Sequence, residues 1–231
     1  MIISIHQPDY IPYLGCFYKI HQSQIFVFLD DVQFSNDNMH HWNRIKTPQG
    51  ECRLKIPVEY SFGDSINQVR TKDELKWKEK HLKTIEMNYA KTQYFNEIYP
   101  QFREILLREY PNLAEMNIVI NQFICQGFGI NPEFIRSSEL NINSAKEDRV
   151  IDICLAIGGT TYISGNGARA YQIDEHYEME GIHLKYTDYK PFTYNQRWGE
   201  FIPNLSAIDY IFNCGFKIPE TFKSQLCKGE K

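Results

Sequence analysis

His6 and Gln7 close a short apolar run, Ile2-Ile3-Ser4-Ile5, and are followed at once by Pro8, Asp9 and Tyr10. An imidazole there can move a proton near neutral pH or donate to a developing negative charge. A carboxamide beside it can fix a substrate carboxylate or amine. A second cluster, Asp30, Asp31 and Gln33, closes the run Ile25-Phe26-Val27-Phe28-Leu29. Paired acids at a strand end suit an ammonium, ribose hydroxyls or Mg²⁺. A third is Asn43-Arg44-Ile45-Lys46, with Arg53 and Lys55 alternating downstream. The Arg44 guanidinium has the planar fork that grips a diphosphate bidentately. A fourth is Ser164-Gly165-Asn166-Gly167-Ala168-Arg169, directly after an apolar run. Two glycines ahead of a helical piece let backbone N–H groups approach a phosphate. Each cluster also has a plain structural explanation: a hydrogen-bonded strand end, a solvated turn, surface charge on a hairpin, or a strand-to-helix turn. Near the C-terminus, Asn204, Ser206 and Asp209 read as capping and first-turn residues of a helix striped by Leu205, Ile208 and Phe212. The tandem His40-His41 is not expected to bind metal. Neighbours on a strand point to opposite faces, and no H-x-H or H-x-x-x-H spacing is present.

The elements that must position these groups follow from hydrophobic period. The runs at 2–5 and 25–29 are continuous and apolar, as in strands buried on both faces. A short helix is predicted over 13–20 between them, which makes a βαβ unit with both strand ends on one edge of a sheet. Polar groups beyond the carboxyl ends of such strands are where open α/β sheets hold ligands. Residues 42–46 and 52–56 flank Gly50 as a hairpin, and 66–69 reads as a short edge strand. Three helical stripes follow, with Pro100 early in the second and Pro111 starting the third. Ser144-Ala145-Lys146-Glu147 reads as a capping box opening a helix over Val150, Ile151, Cys154 and Ile157. Strands around 134–135, 160–163 and 182–186 restore the alternation. The predicted class is α/β and Rossmann-like: a mostly parallel sheet with flanking helices, a β-hairpin and a helical insertion at about 73–128.

Composition is that of an ordinary globular chain, 42% apolar and 23% charged over 231 residues, enough to bury a substantial core. A formal net charge of −4 gives no footprint for nucleic acid. Six cysteines without a C-x-x-C pair read as small buried hydrophobes in a reducing compartment. No leader is expected ahead of the first strand, and no run approaches the ~20 apolar residues that cross a bilayer. The expected location is cytoplasmic, without a membrane span.

His6-Gln7-Pro8 with Tyr10, Pro12, Gly15, Phe17 and Lys19 resembles the opening of the WbqC-like family. Leu29-Asp30-Asp31-Val32-Gln33-Phe34, Asn43-Arg44-Ile45, Trp77, His81, Tyr89, Phe95, Tyr162-Ile163-Ser164-Gly165 and Leu205-Ser206-x-x-Asp209 extend the likeness over nearly the whole chain. Asn36-Asp37-Asn38-Met39-His40 departs from it, where many relatives carry a basic residue. The resemblance implies a single domain over 1–231 and a place in O-antigen or other surface-polysaccharide synthesis. It further implies a nucleotide-linked or lipid-linked sugar substrate and attachment of glycine or another aminoacyl group to an amino sugar. A looser analogy links the strand-end histidine and the late Ser-Gly loop to nucleotidyltransferases of the HIGH type, although the H-x-G-H pattern is absent.

The expected chemistry therefore has His6 as proton carrier or phosphate stabiliser, with Gln7 beside it and Asp30 orienting the amine. Arg44 is expected on the diphosphate, with Tyr10, Asp31, Gln33, Asn43, Ser164, Gly165 and Asn166 around the substrate. The donor is an amino acid activated by ATP with Mg²⁺, or an acyl thioester. A binding protein of the assembly machinery, and a homodimer, remain open alternatives.

Overall fold

The computed structural model describes residues 1–222. Its centre is a five-stranded sheet of β1 (Ile2–His6), β2 (Ile25–Phe28), β7 (Glu133–Arg136), β8 (Thr161–Ser164) and β9 (His183–Tyr186). The spatial order is β7-β2-β1-β8-β9 and every pairing is parallel. The β-branched and aromatic runs predicted as strands are buried because this sheet is covered on both faces. Alternation along β2 divides its side chains between two cores. Phe26 and Phe28 join the larger core, with α1 (Leu14–His21) and most of the helices. Ile25 and Val27 join the smaller one, with Ile3 and Ile5 of β1, Ile151, Ile153 and Cys154 of α5 (Lys146–Ala156) and Tyr177 of α6 (Asp174–Met179). Ser4, fully buried on the α1 side, is small enough for the helix to lie close and bonds the Lys19 carbonyl and Ser23.

Between β2 and β7 the chain builds the hairpin of β3 (Trp42–Thr47) and β4 (Gly50–Lys55), then a two-residue ribbon of β5 (Val58–Glu59) with β6 (Arg70–Thr71). Three helices follow: α2 (Trp77–Tyr89), α3 (Phe95–Leu107) and α4 (Leu113–Phe128). Their buried faces share the larger core with α1 and with α7 (Ala207–Cys214). Gly129 ends α4 at φ 69°, a left-handed cap open to glycine at little cost.

Two local expectations are corrected. Residues 66–68 form a 3₁₀ turn rather than an edge strand, because Gln68 Oε1 accepts from the Ser65 N–H at 2.9 Å and closes a capping box. Ser144 does not cap α5. Its hydroxyl donates to Asp152 Oδ2 at 2.5 Å, and the helix starts past Ala145 with Lys146 at φ 56°. Cys16, Cys125 and Cys154 are buried free thiols, whereas Cys52 and Cys214 are only half-buried; Cys227 lies outside the described residues. Among the described residues no helix is long and apolar enough to cross a membrane.

Candidate functional site at the switch point of the sheet

From β1 the chain moves outward through β2 to β7, then crosses back by α5 to place β8 on the other flank of β1. Strand order reverses between β1 and β8, so the segments leaving these two strands diverge and leave a crevice at their carboxyl ends. A cavity of about 430 Å³ occupies that position. His6 and Gln7 enter it from β1, and Ser164, Gly165 and Asn166 from β8. Tyr13 and Lys19 contribute from the α1 side, and Thr187 and Tyr189 from the segment after β9.

The electrostatics of the crevice turn on two groups. Lys19 is only 5% exposed, and its Nζ donates to the Ile5 carbonyl at 3.0 Å. Among the described residues it has no ion-pair partner. Burial brings its pKa down to about 8, opposed by Cys16 and Asp9. The Cys16 thiol is itself pushed up to about 12 by burial, so it stays neutral and gives no counter-charge. His6 makes no side-chain hydrogen bond among the described residues, and burial, followed by the charge on Lys19, holds its pKa down to about 4. The resting crevice thus carries an ammonium without a direct ion pair, the Asp9 carboxylate that acts on it being bonded to His40, beside a neutral imidazole, a pairing that favours an anionic ligand.

The loop after β8 complements them. Neither Gly165 nor Gly167 is needed for a positive φ, and a Cβ at either would meet no atom within 4 Å. The side chains they lack leave open space along the backbone. The turn that follows, Asn166–Ala170, is too short to act as a helix dipole. Its first amides, at Asn166 and Gly167, have no carbonyl behind them within the turn. Ser164 Oγ is buried without a hydrogen bond of normal geometry, beside the Tyr162 phenol.

Other motif residues shape the loop that leaves β1. Asn43, 1% exposed, donates from Nδ2 to the carbonyls of Tyr10 and Ile11 at 3.0 and 2.8 Å. It thereby holds Ile11 at φ 44°, a conformation that costs a β-branched residue about 1–3 kcal/mol. Tyr10 is fully buried, its hydroxyl 3.1 Å from His81 Nδ1 and its ring against Trp77. Asp9 Oδ1 meets His40 Nδ1 at 3.0 Å, and Asn117 of α4 donates to the carbonyls of Pro8 and His40. Asp209 is fully buried and accepts from the Tyr89 and Tyr194 hydroxyls, each at 2.7 Å. Tyr10 and Asn43, expected at the substrate, thus sit inside the protein as braces.

The acids and the arginine are also placed elsewhere than expected. Asp30, 2% exposed, accepts from Ser137 Oγ at 3.2 Å, Ser138 N–H at 3.0 Å and Ser138 Oγ at 2.7 Å. Asp31 takes Ser137 Oγ and the Arg149 guanidinium, each at 2.5 Å. The pair ties β2 to the turn after β7 and to α5, with no acceptor of Asp30 turned to the crevice. Arg44 bonds both carboxylate oxygens of Glu51 at 3.0 and 2.9 Å on the hairpin, away from the crevice lining. Gln33 lines a separate hollow. The sequence reading did not place Lys19 and Tyr13 in the site. The available signal was helical spacing: Lys19 lies four residues after Gly15, on the face that meets the sheet. Among the described residues no group of three or more His, Cys, Asp or Glu side chains is placed to hold a metal ion.

A parallel sheet of this order, covered by helices on both faces and open at its switch point, defines a Rossmann-like α/β protein. More narrowly, the chain belongs to the WbqC-like protein family, whose model matches residues 7–220. It is 31% identical over 222 residues to Uncharacterized protein Rv1507c of Mycobacterium tuberculosis, covering 94% of this chain and 96% of that one. No solved structure matches it.

Proposed function

We propose that this protein is a transferase of bacterial surface-polysaccharide synthesis that attaches an aminoacyl group, such as glycyl, to the amine of a nucleotide-linked amino sugar. The observation that carries this reading is the enclosed, unpaired Lys19 ammonium facing the same crevice as neutral His6. Lys19 and the 165–167 backbone receive the diphosphate, whose two negative charges supply the missing counter-ion. The place in surface-polysaccharide synthesis that the family resemblance implies selects the amino sugar.

A free carboxylate does not react with an amine, so the donor arrives activated, as an adenylate made from ATP or as an ester or thioester. The sugar amine attacks the activated carbonyl carbon, the C–N bond forms, and the bond to the phosphate, alcohol or thiol breaks. His6 accepts the proton lost by the attacking nitrogen, and the Gln7 carboxamide orients the donor. A pKa near 4 is low for a base acting at neutral pH. The incoming diphosphate corrects it, because a negative charge beside the imidazole raises its proton affinity.

The test is incubation with a panel of nucleotide amino-sugars and either ATP plus glycine or an acyl-CoA, followed by mass spectrometry. The expected product carries a glycyl unit, and His6→Ala loses turnover while keeping its circular dichroism. Product from acyl-CoA alone makes the enzyme an N-acyltransferase instead. Unchanged turnover by His6→Ala removes the imidazole from the chemistry.

A further inference from the structure

A second hollow, of about 380 Å³, lies past the end of β2 between residues 33–36 and the loop 60–63. Its two walls are fastened together. Gln33 bridges Ser65, and the Phe34 N–H donates to the Asp64 carbonyl at 2.8 Å. The loop is also braced internally, with the Ser61 N–H on Asp64 Oδ2 at 2.6 Å and the Asp64 N–H on the Ser61 carbonyl at 3.1 Å. On this frame Phe62 is 98% exposed and Tyr60 45%. The Tyr60 ring lies 4.7 Å from the ring of Phe34, which is buried 5.8 and 5.4 Å from His40 and His41. A column of rings therefore rises from the core and finishes beside a bare phenyl on a hydrogen-bonded turn. The turn geometry rests on Gly63 at φ 95° and on Asp64, so the phenyl contributes nothing to it.

The polar groups of the hollow narrow the ligand. The side-chain amides of Gln33 and Asn36 are exposed and make no hydrogen bond among the described residues. No side chain of Asp, Glu, Lys, Arg or His lines the hollow. A phosphate or carboxylate would find no counter-charge there. An added peptide strand would need a free backbone edge, and Gln33 is already bridged to Ser65. An uncharged polyhydroxylated ring satisfies all three features: its C–H face covers an aromatic ring, and its hydroxyls take the amides.

We propose that this hollow is a saccharide subsite for one neutral pyranose ring, held on Phe62 and Tyr60 and oriented by Gln33 and Asn36. It rests on the transferase reading only for the expectation of a saccharide, as a ring held apart from the amine that meets His6, and binding here requires no turnover. Saturation-transfer NMR with free N-acetylglucosamine, N-acetylgalactosamine, glucose and galactose tests it on the intact protein. At least one sugar is expected to receive saturation, strongest on the protons of one C–H face. Phe62→Ser, at a site too exposed to affect folding, should weaken binding at least tenfold, as should Gln33→Ala, whereas His6→Ala should leave it unchanged. Absence of transfer to every sugar overturns the proposal. So does binding that survives Phe62→Ser or disappears with His6→Ala. Sugar binding without any aminoacyl product would remove the transferase reading and leave the subsite standing. Product formation with no transfer to any free sugar would do the reverse.

Discussion

Lys19→Met removes an ammonium that the fold disfavours and keeps the apolar stem in place. Burial lowers its pKa from 10.5 to about 8. At ~1.4 kcal/mol per unit, that shift places the charged form about 3 kcal/mol above the neutral form relative to water. The substitution also strips a donor from the Ile5 carbonyl, a loss of about 1 kcal/mol. Stability at pH 7 should therefore rise by roughly 2 kcal/mol, or a Tm increase of roughly 4–8 °C for a chain of this size. The sign with pH is fixed by linkage. The folded pKa lies below the unfolded one, so between about 8 and 10.5 the native state binds fewer protons and the wild type gains stability as pH rises. Below pH 8 both states are protonated and the full penalty applies. The advantage of Lys19→Met should thus be constant below pH 8 and close toward pH 10.5. Urea melts of the two proteins at pH 6.5 and 10 measure it, since titrations they share cancel in the difference. The same variant should lose at least tenfold in affinity for inorganic pyrophosphate by calorimetry. A variant less stable than wild type at pH 7, or a gap indifferent to pH, would make the lysine a structural donor and refute its assignment as a vacant anion site.

Gly165→Ala should leave stability within ~0.5 kcal/mol, because φ is −74° and the new methyl meets no protein atom, yet weaken pyrophosphate binding by intruding on the loop backbone; equal affinities would show that no ligand approaches there. Asp30→Ala should cost about 1–3 kcal/mol in a thermal melt by leaving the half-buried Ser138 N–H and hydroxyl without their acceptor, while Ser137 keeps Asp31, with pyrophosphate affinity unchanged; lost affinity in a folded variant would return the acid to the ligand. Acid should destabilise the protein well before its carboxylates titrate. His6, His41 and His81 are each held down to about 4 by burial, so their neutral forms support the fold above pH 6.5 and that support is lost as pH falls toward 4. Denaturant melts at pH 7 and 4.5 should differ by a few kcal/mol, and His81→Gln should narrow the gap.

Legibility followed range. The strands announced themselves because β1 and β2 are buried on both faces, which demands apolar runs, broken only by the small Ser4 in β1, and places the other polar residues at the ends. Ends of parallel strands share one edge, so His6, Gln7, Ser164, Gly165 and Asn166 were legible as neighbours before their pairings were known. The same reasoning applied to Asp30 and Asp31 gives the right edge and a different environment. Their partners Ser137, Ser138 and Arg149 lie more than a hundred residues along the chain, and nothing local reports that the carboxylates are already satisfied. Arg44 fails more locally. Its partner Glu51 sits seven residues on, but the hairpin register that brings them together depends on how the turn at Gly50 closes. Lys19 was hidden by type, since a lysine in a helix reads as a solvent-facing residue until packing shows otherwise.

Strand ends alone therefore do not make a site, and the reversal of strand order selects among them. β2 and β7 lie on the same flank of β1, so the segments leaving them remain adjacent and knit together through Asp30 and Asp31. β8 lies on the opposite flank, reached only by the return crossing through α5, and the segments leaving β1 and β8 separate. The braces on the β1 loop act on the same geometry. Asn43 holds the backbone at Tyr10 and Ile11, Asn117 holds Pro8, and Asn121 donates to the Asp9 carbonyl at 3.1 Å. Side chains of the hairpin and of α4 thus fix four successive residues just past Gln7. This explains why a motif that begins at His6 continues into residues that never reach the crevice. They hold against local strain the loop that leaves His6 and Gln7, and so fix where those two side chains enter the crevice.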